Sequence, residues 1–164
     1  MTEQGETFDG GCTCGAVRYR MESKPMIVHC CHCHWCQRET GTSFALNALI
    51  EADRVTLLQG QLEKVATPSN SGKGQDIFRC PQCHIAVWSN YGGLGDKVDF
   101  VRVGTLDEAH RLSPDMHIFT ASKQPWVVIP EGQLVFEEYY NNKKYWPAES
   151  LTRLREALGL PVGN

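Results

Sequence analysis

Cys30-Cys-His-Cys-His-Trp-Cys36 packs four cysteines and two histidines into seven residues, and the chemistry that holds such a run together decides the fold. Two further clusters flank it: Cys12-Thr-Cys14, bracketed by Gly10, Gly11 and Gly15, and Cys80-Pro-Gln-Cys83. In C-x-x-C a tight turn aims two sulfurs at one point about 2.3 Å from a zinc ion, and turn amides stabilise the thiolates. In C-x-C on an extended segment, residues i and i+2 share a face, so that pair can also share a metal. The middle run supplies three sulfurs by itself, from Cys31, Cys33 and Cys36. A structural zinc is closed by four ligands, whereas a catalytic zinc keeps three protein ligands and an open position. The economical assignment is a closed structural zinc on Cys12, Cys14, Cys80 and Cys83 and an open zinc on Cys31, Cys33 and Cys36, hence two ions per chain. Cys30 is left over, a small buried hydrophobe at best. His32 and His34 sit among the ligands as coordinating groups, as donors behind them, or as surface histidines, while His110 and His117 have no ligand spacing.

Rival explanations for the cysteines weaken on composition. A chain of 164 residues buries roughly 70% of its unfolded surface, so eight cysteines are not needed as a disulfide framework. The opening stretch Met1–Gly10 has neither a basic n-region nor an apolar h-region, and no apolar run approaches the ~18 residues that cross a bilayer. Spaced cysteines without a secretory signal point to a reducing, cytoplasmic setting and no membrane partner. A net charge of −3 lacks the basic footprint of a nucleic-acid binder. A thioredoxin-like role for Cys80 and Cys83 requires a helix after the motif, yet His84-Ile-Ala-Val-Trp88 reads as a strand.

The element signals are mostly β. Val17, Tyr19 and Met21 alternate with Arg18 and Arg20, the period of a half-buried strand. Ile77-Phe78, Ile85–Trp88, Val98–Val103, Trp126–Ile129 and Leu134–Phe136 are further strand candidates. From Pro147 to Leu158, Leu151, Leu154 and Leu158 recur at helical spacing, with Pro147 suited to the first turn and Gly159 to the stop. Trp146 and these leucines either pack on the sheet or form a dimer seam. Thr67–Gln75 is a surface loop, and 1–164 is one zinc-binding domain, mainly β and antiparallel, with its core at about 8–140 and a C-terminal helix at about 147–158.

These motifs resemble the glutathione-dependent formaldehyde-activating enzyme family. The likeness rests on Gly10–Tyr19, on Cys31–Cys36 followed by Thr40-Gly41, and on Cys80-x-x-Cys83, and it continues through Val103–Leu106, Ser122–Trp126, Pro130–Gly132 and Phe136–Tyr139. The resemblance implies coiled antiparallel sheets of the β-tent type, stapled by a structural zinc. It implies a carbon–sulfur lyase that joins glutathione to formaldehyde as S-hydroxymethylglutathione, with Cys31, Cys33 and Cys36 catalytic. The expected partners are therefore a small thiol and an aldehyde. Arg38, if not simply a solvated arginine, and Lys123 are the cations expected to meet an anionic thiol. Three positions depart from the family pattern: Gln37 stands where a basic residue is usual, His84 where a glycine is usual, and Cys30 is an extra cysteine. Because the fold also serves non-enzymatic proteins, a zinc-stabilised binding module and an enzyme acting on another carbonyl or an imine are the alternatives.

Overall fold

Strand β2 (Arg18–Met21) realises the alternation at Val17–Met21: Tyr19 and Met21 are fully buried, while Arg18 and Arg20 pair with Asp107 and Asp9 outside. It is the centre of a three-stranded antiparallel sheet with β1 (Phe8–Gly11) and β5 (Val55–Gln59). The computed structural model describes residues 5–162; residues 1–4 and 163–164, which open the N-terminal stretch and close the expected 1–164 domain, lie outside them.

A second, eight-stranded sheet runs β11 (Leu134–Val135), β10 (Met116–Ile118), β3 (Ile27–Cys31), β4 (Ala45–Glu51), β9 (Val98–Arg102), β8 (Ala86–Tyr91), β7 (Gln75–Arg79), β6 (Glu63–Thr67). Its pairings are antiparallel from β3 to β6, but β10 lies parallel to β3 and β11 parallel to β10, which corrects the all-antiparallel expectation at that end. A parallel neighbour needs a long crossover, and here the chain passes through β4 to β9 before β10 returns beside β3.

Both faces of this sheet are covered, and each carries its own core. On one face Ile27, Cys31, Leu49 and Val98 pack under Trp146 and Leu154 of the C-terminal segment. On the other, Val28, Ala48, Ile50 and Val101 meet Phe8, Tyr19 and Met21 of the smaller sheet. Strands covered on both sides lose the polar alternation, which is why all five residues of β3 are buried and neither β3 nor β4 announces itself by period.

Helix α1 (His34–Thr40) begins at Cys33 and ends at Gly41, whose φ of 68° the missing Cβ permits. A short helix α2 (Asn142–Tyr145) precedes α3 (Ala148–Ala157), the expected C-terminal helix, with Pro147 just before its first turn and Gly159 at φ 66° beyond its end. Ser150 Oγ donates to the Met26 carbonyl at 2.6 Å, and Arg153 forks onto Glu51 of β4 at 2.6 and 2.7 Å, which fixes α3 to the sheet. Trp126–Ile129 is not a strand: Trp126 and Val128 are 70% and 86% exposed, and no neighbour pairs with their backbone. Among the described residues no helix is long and apolar enough to cross a membrane.

Candidate metal centre

Cys12 and Cys14 lie in the turn between β1 and β2, and Cys80 and Cys83 in the turn between β7 and β8, so their meeting ties one sheet to the other. Cys14 Sγ is 3.5 Å from Cys12 Sγ and 3.7 Å from Cys80 Sγ. Four sulfurs at about 2.3 Å from one ion stand about 3.8 Å apart at the corners of a tetrahedron, so the set fits a closed thiolate site. The Val17 amide donates to Cys12 Sγ at 3.3 Å and the Gln82 amide to Cys80 Sγ at 3.4 Å. Amides of Ile85 and Cys14 hold the Cys83 thiol down at about 6, so the backbone favours the thiolates a metal needs. The turn closes with His84 at φ 61°, a left-handed conformation that glycine adopts at less cost.

The second set forms where β3 runs into α1. Cys31 ends the strand, Cys33 caps the helix by accepting the Cys36 amide at 3.3 Å, and Cys36 sits in the first turn. All three are buried, with sulfurs within 4.8 Å of one another. Hydrogen bonds from Cys31 and Cys36 hold the Cys33 thiol far below its ordinary range, and the bond to Cys33 pushes Cys31 up, so the trio concentrates one negative charge. Three soft donors with no fourth sulfur in the set among the described residues suit an ion with an open position.

The trio lies on a cavity of about 460 Å³. Its walls are largely aromatic and aliphatic, among them Tyr91, Leu94, Phe100, Phe119 and Tyr139. The segment expected as a plain surface loop forms another wall through Ser69, Asn70 and Lys73, and Lys73 is the only lysine or arginine among the lining residues. His29 faces the cavity as well; its Nε2 lies 2.6 Å from the Tyr140 hydroxyl, which in turn accepts from Trp146 Nε1. Burial holds His29 down at about 4, so the ring is neutral.

Neither Arg38 nor Lys123 lines this cavity. Arg38 is exposed on α1, and Lys123 Nζ donates to the carbonyls of Gln124 and Val127 at 3.1 and 2.7 Å. Gln37 is a clamp rather than a cavity residue: its amide donates to the His32 and Ser122 carbonyls and accepts from Gln124. His34 is exposed, whereas His32 is fully buried beside Cys30 and His117. Spacing gave no sign of His117, because the parallel pairing of β10 with β3 is what makes it the cross-strand neighbour of Cys30.

Fold and site thus define a mainly β, cysteine-rich protein with donor sets for soft metal ions, one of them opening on an apolar cavity. The profile described as "Glutathione-dependent formaldehyde-activating enzyme" matches residues 7–122, and the chain belongs to that family. A relative from Halomonas elongata, provisionally named as a glutathione-dependent formaldehyde-activating enzyme, is 26% identical over 168 residues, 95% of this chain and 99% of that one. A crystal structure of a Rhodobacter sphaeroides protein is similar at a TM-score of 0.46 and 17% identity, covering 78% of this chain and 98% of the other.

Proposed function

We propose that the chain is a zinc-dependent carbon–sulfur lyase of the cytoplasm, joining a thiol such as glutathione to formaldehyde or another small electrophile, with a second zinc on Cys12, Cys14, Cys80 and Cys83. The observation that carries this is the convergence of Cys31, Cys33 and Cys36 on one cavity beneath aromatic walls. Those three residues would hold the catalytic ion, which would lower the pKa of a thiol and polarise a carbonyl. In the reaction a sulfur–carbon bond forms and the thiol proton ends on the carbonyl oxygen. Tyr91, Phe100 and Tyr139 exclude water and confine the two reactants, which converts an encounter in solution into a positioned pair. Lys73 at the loop wall is the cation placed to meet a carboxylate of the thiol, in preference to Arg38 and Lys123, which point elsewhere. Neutral His29, held by Tyr140, presents a fixed ring rather than a mobile charge.

Exchange NMR with ¹³C-formaldehyde and glutathione tests the proposal on zinc-loaded protein. Formation of the thiohemiacetal faster than in buffer, lost in Cys33→Ala with the fold intact, is the expected result. No acceleration, together with no calorimetric binding of glutathione, would leave a zinc-stabilised binding module instead.

A further inference from the structure

Opposite the cavity, β3 carries a second set of donors that the proposed chemistry does not use. Cys31 faces the cavity with its cross-strand neighbour Ile118, so Cys30 and its neighbour His117 face the other way, and His32 follows two residues on from Cys30. The three are 2%, 0% and 6% exposed for Cys30, His32 and His117. His32 Nε2 lies 3.5 Å from Cys30 Sγ and 2.9 Å from His117 Nδ1.

From this geometry we infer that Cys30, His32 and His117 form a third metal site, for a divalent ion of the zinc class, bound through Sγ, Nε2 and Nδ1. For metal–sulfur and metal–nitrogen bonds of about 2.3 and 2.0–2.1 Å, tetrahedral ligands stand about 3.6 Å apart for sulfur to nitrogen and about 3.3 Å for nitrogen to nitrogen. The separation of Cys30 Sγ from His32 Nε2 already matches, and all three donor atoms lie within 4.8 Å of one another. The shorter nitrogen pair is an ordinary N–H···N contact between rings whose centroids are 5.2 Å apart and whose planes differ by 27°, so the lone pairs face each other, and an ion that takes the place of the shared proton requires the two rings to swing as well as part. One thiol proton, from Cys30, is released for each ion bound.

The donors are held before any ion arrives. The His32 backbone is pinned on both sides: its amide donates to Ile118 O at 2.9 Å, and its carbonyl accepts from Gln37 Nε2 at 2.7 Å and Ser122 Oγ at 2.9 Å. Phe44 packs edge-on against the ring of His32, with centroids 5.5 Å apart, and is itself 37% exposed, which leaves a route from solvent past one side chain. Two features make this site weaker than the all-cysteine sets. The Nδ1 of His32, which carries the proton when Nε2 binds metal, has no partner, and the charge of Lys123 reaches His32.

The test is the zinc content of the full chain, equilibrated with micromolar free zinc, beside Cys30→Ser and His117→Gln. The wild type is expected to hold one more equivalent than either variant, and a mild chelator is expected to remove that equivalent first. Calorimetric titration of the wild type in buffers of different ionisation enthalpy should assign about one released proton to it. Equal zinc content in wild type and folded variants overturns the site; should neither variant fold, a wild type with no equivalent beyond the cysteine sets overturns it equally. The difference between wild type and variants does not depend on whether Cys31, Cys33 and Cys36 catalyse anything, so this site can fail while the proposed activity stands, and the reverse.

Discussion

Replacing Cys80 by alanine tests the four-cysteine junction, because the residue is completely buried and joins segments far apart in the chain. Residues 12–17 and 80–85 lie outside the strands, and ordering these twelve costs about 18 kcal/mol at about 1.5 kcal/mol each. Burying Val17, Cys12 and Cys80 returns about 5 kcal/mol. Backbone bonds from Cys12 to Val17, Gly15 to Cys12, Cys80 to Ile85 and His84 to Cys80 return about 1 kcal/mol each. The corner is thus short by about 9 kcal/mol, a gap that the proposed structural zinc, worth about 10–16 kcal/mol, would close. Cys80→Ala should therefore bind one zinc fewer, lose amide protection at residues 12–17 and 80–85, and melt at least ~15 °C lower. Elemental analysis, hydrogen exchange and a circular dichroism melt read these outcomes. A melt within ~3 °C of wild type, with both turns still protected, would refute the reasoning, since that shift is only about 1 kcal/mol.

Three other changes probe independent parts of the structure. Asp99 is buried in β9 and desolvation pushes its carboxyl up to about 6, against the opposing hydrogen bond from Asn90. The folded chain therefore binds the proton more tightly than the unfolded one, so stability from this group is full below about pH 4 and lost as pH rises to about 6. Asp99→Asn keeps an acceptor for Asn90, and its stability advantage over wild type should grow to about 3 kcal/mol by pH 7 in denaturant titrations; a pH-independent difference contradicts this. His84→Gly relieves the left-handed strain in the C-x-x-C turn and should stabilise by about 0.5 kcal/mol after the glycine's entropy is subtracted; a lower midpoint in urea contradicts it. Lys73→Ala should raise KM for glutathione about two- to fivefold and leave kcat unchanged, the size of one exposed ion pair; a loss confined to kcat places the charge contact elsewhere.

What the sequence discloses and what it hides follow from distance along the chain. The cysteine sets are legible because zinc chemistry needs short spacings, and Cys31, Cys33 and Cys36 meet as spacing predicts. The half-exposed strand β2 and the amphipathic helix α3 are legible because one side of each still touches water. Strands β3 and β4 are hidden because both faces are covered, and α1 because seven residues are too few to show a period. Trp126–Ile129 misleads because apolar, β-branched residues signal strand only when an edge is available to pair. Cavity residues such as Phe100 and Lys73 come from separate hairpins and carry no shared motif at all.

Gln37 stands where the family resemblance leads one to expect a basic residue, and its bonds give the position a different task. A basic side chain directly after the third cysteine would put positive charge beside the thiolates, but Gln37 spends its amide on the carbonyls of His32 and Ser122 and its oxygen on Gln124. Those bonds fasten α1 to the segment that follows β10, and Ser122 reinforces them by donating to the same His32 carbonyl. The position is therefore a brace rather than a charge, and the brace holds the main chain that carries both Cys31 and Cys33 on one face and His32 on the other. In the proposed reaction, charge recognition falls to another wall of the cavity, where the loop between β6 and β7 supplies Lys73. There a cation on a loop would meet a flexible carboxylate at the rim rather than at the metal, so this arrangement would separate the recognition of the thiol's charge from the placement of its sulfur.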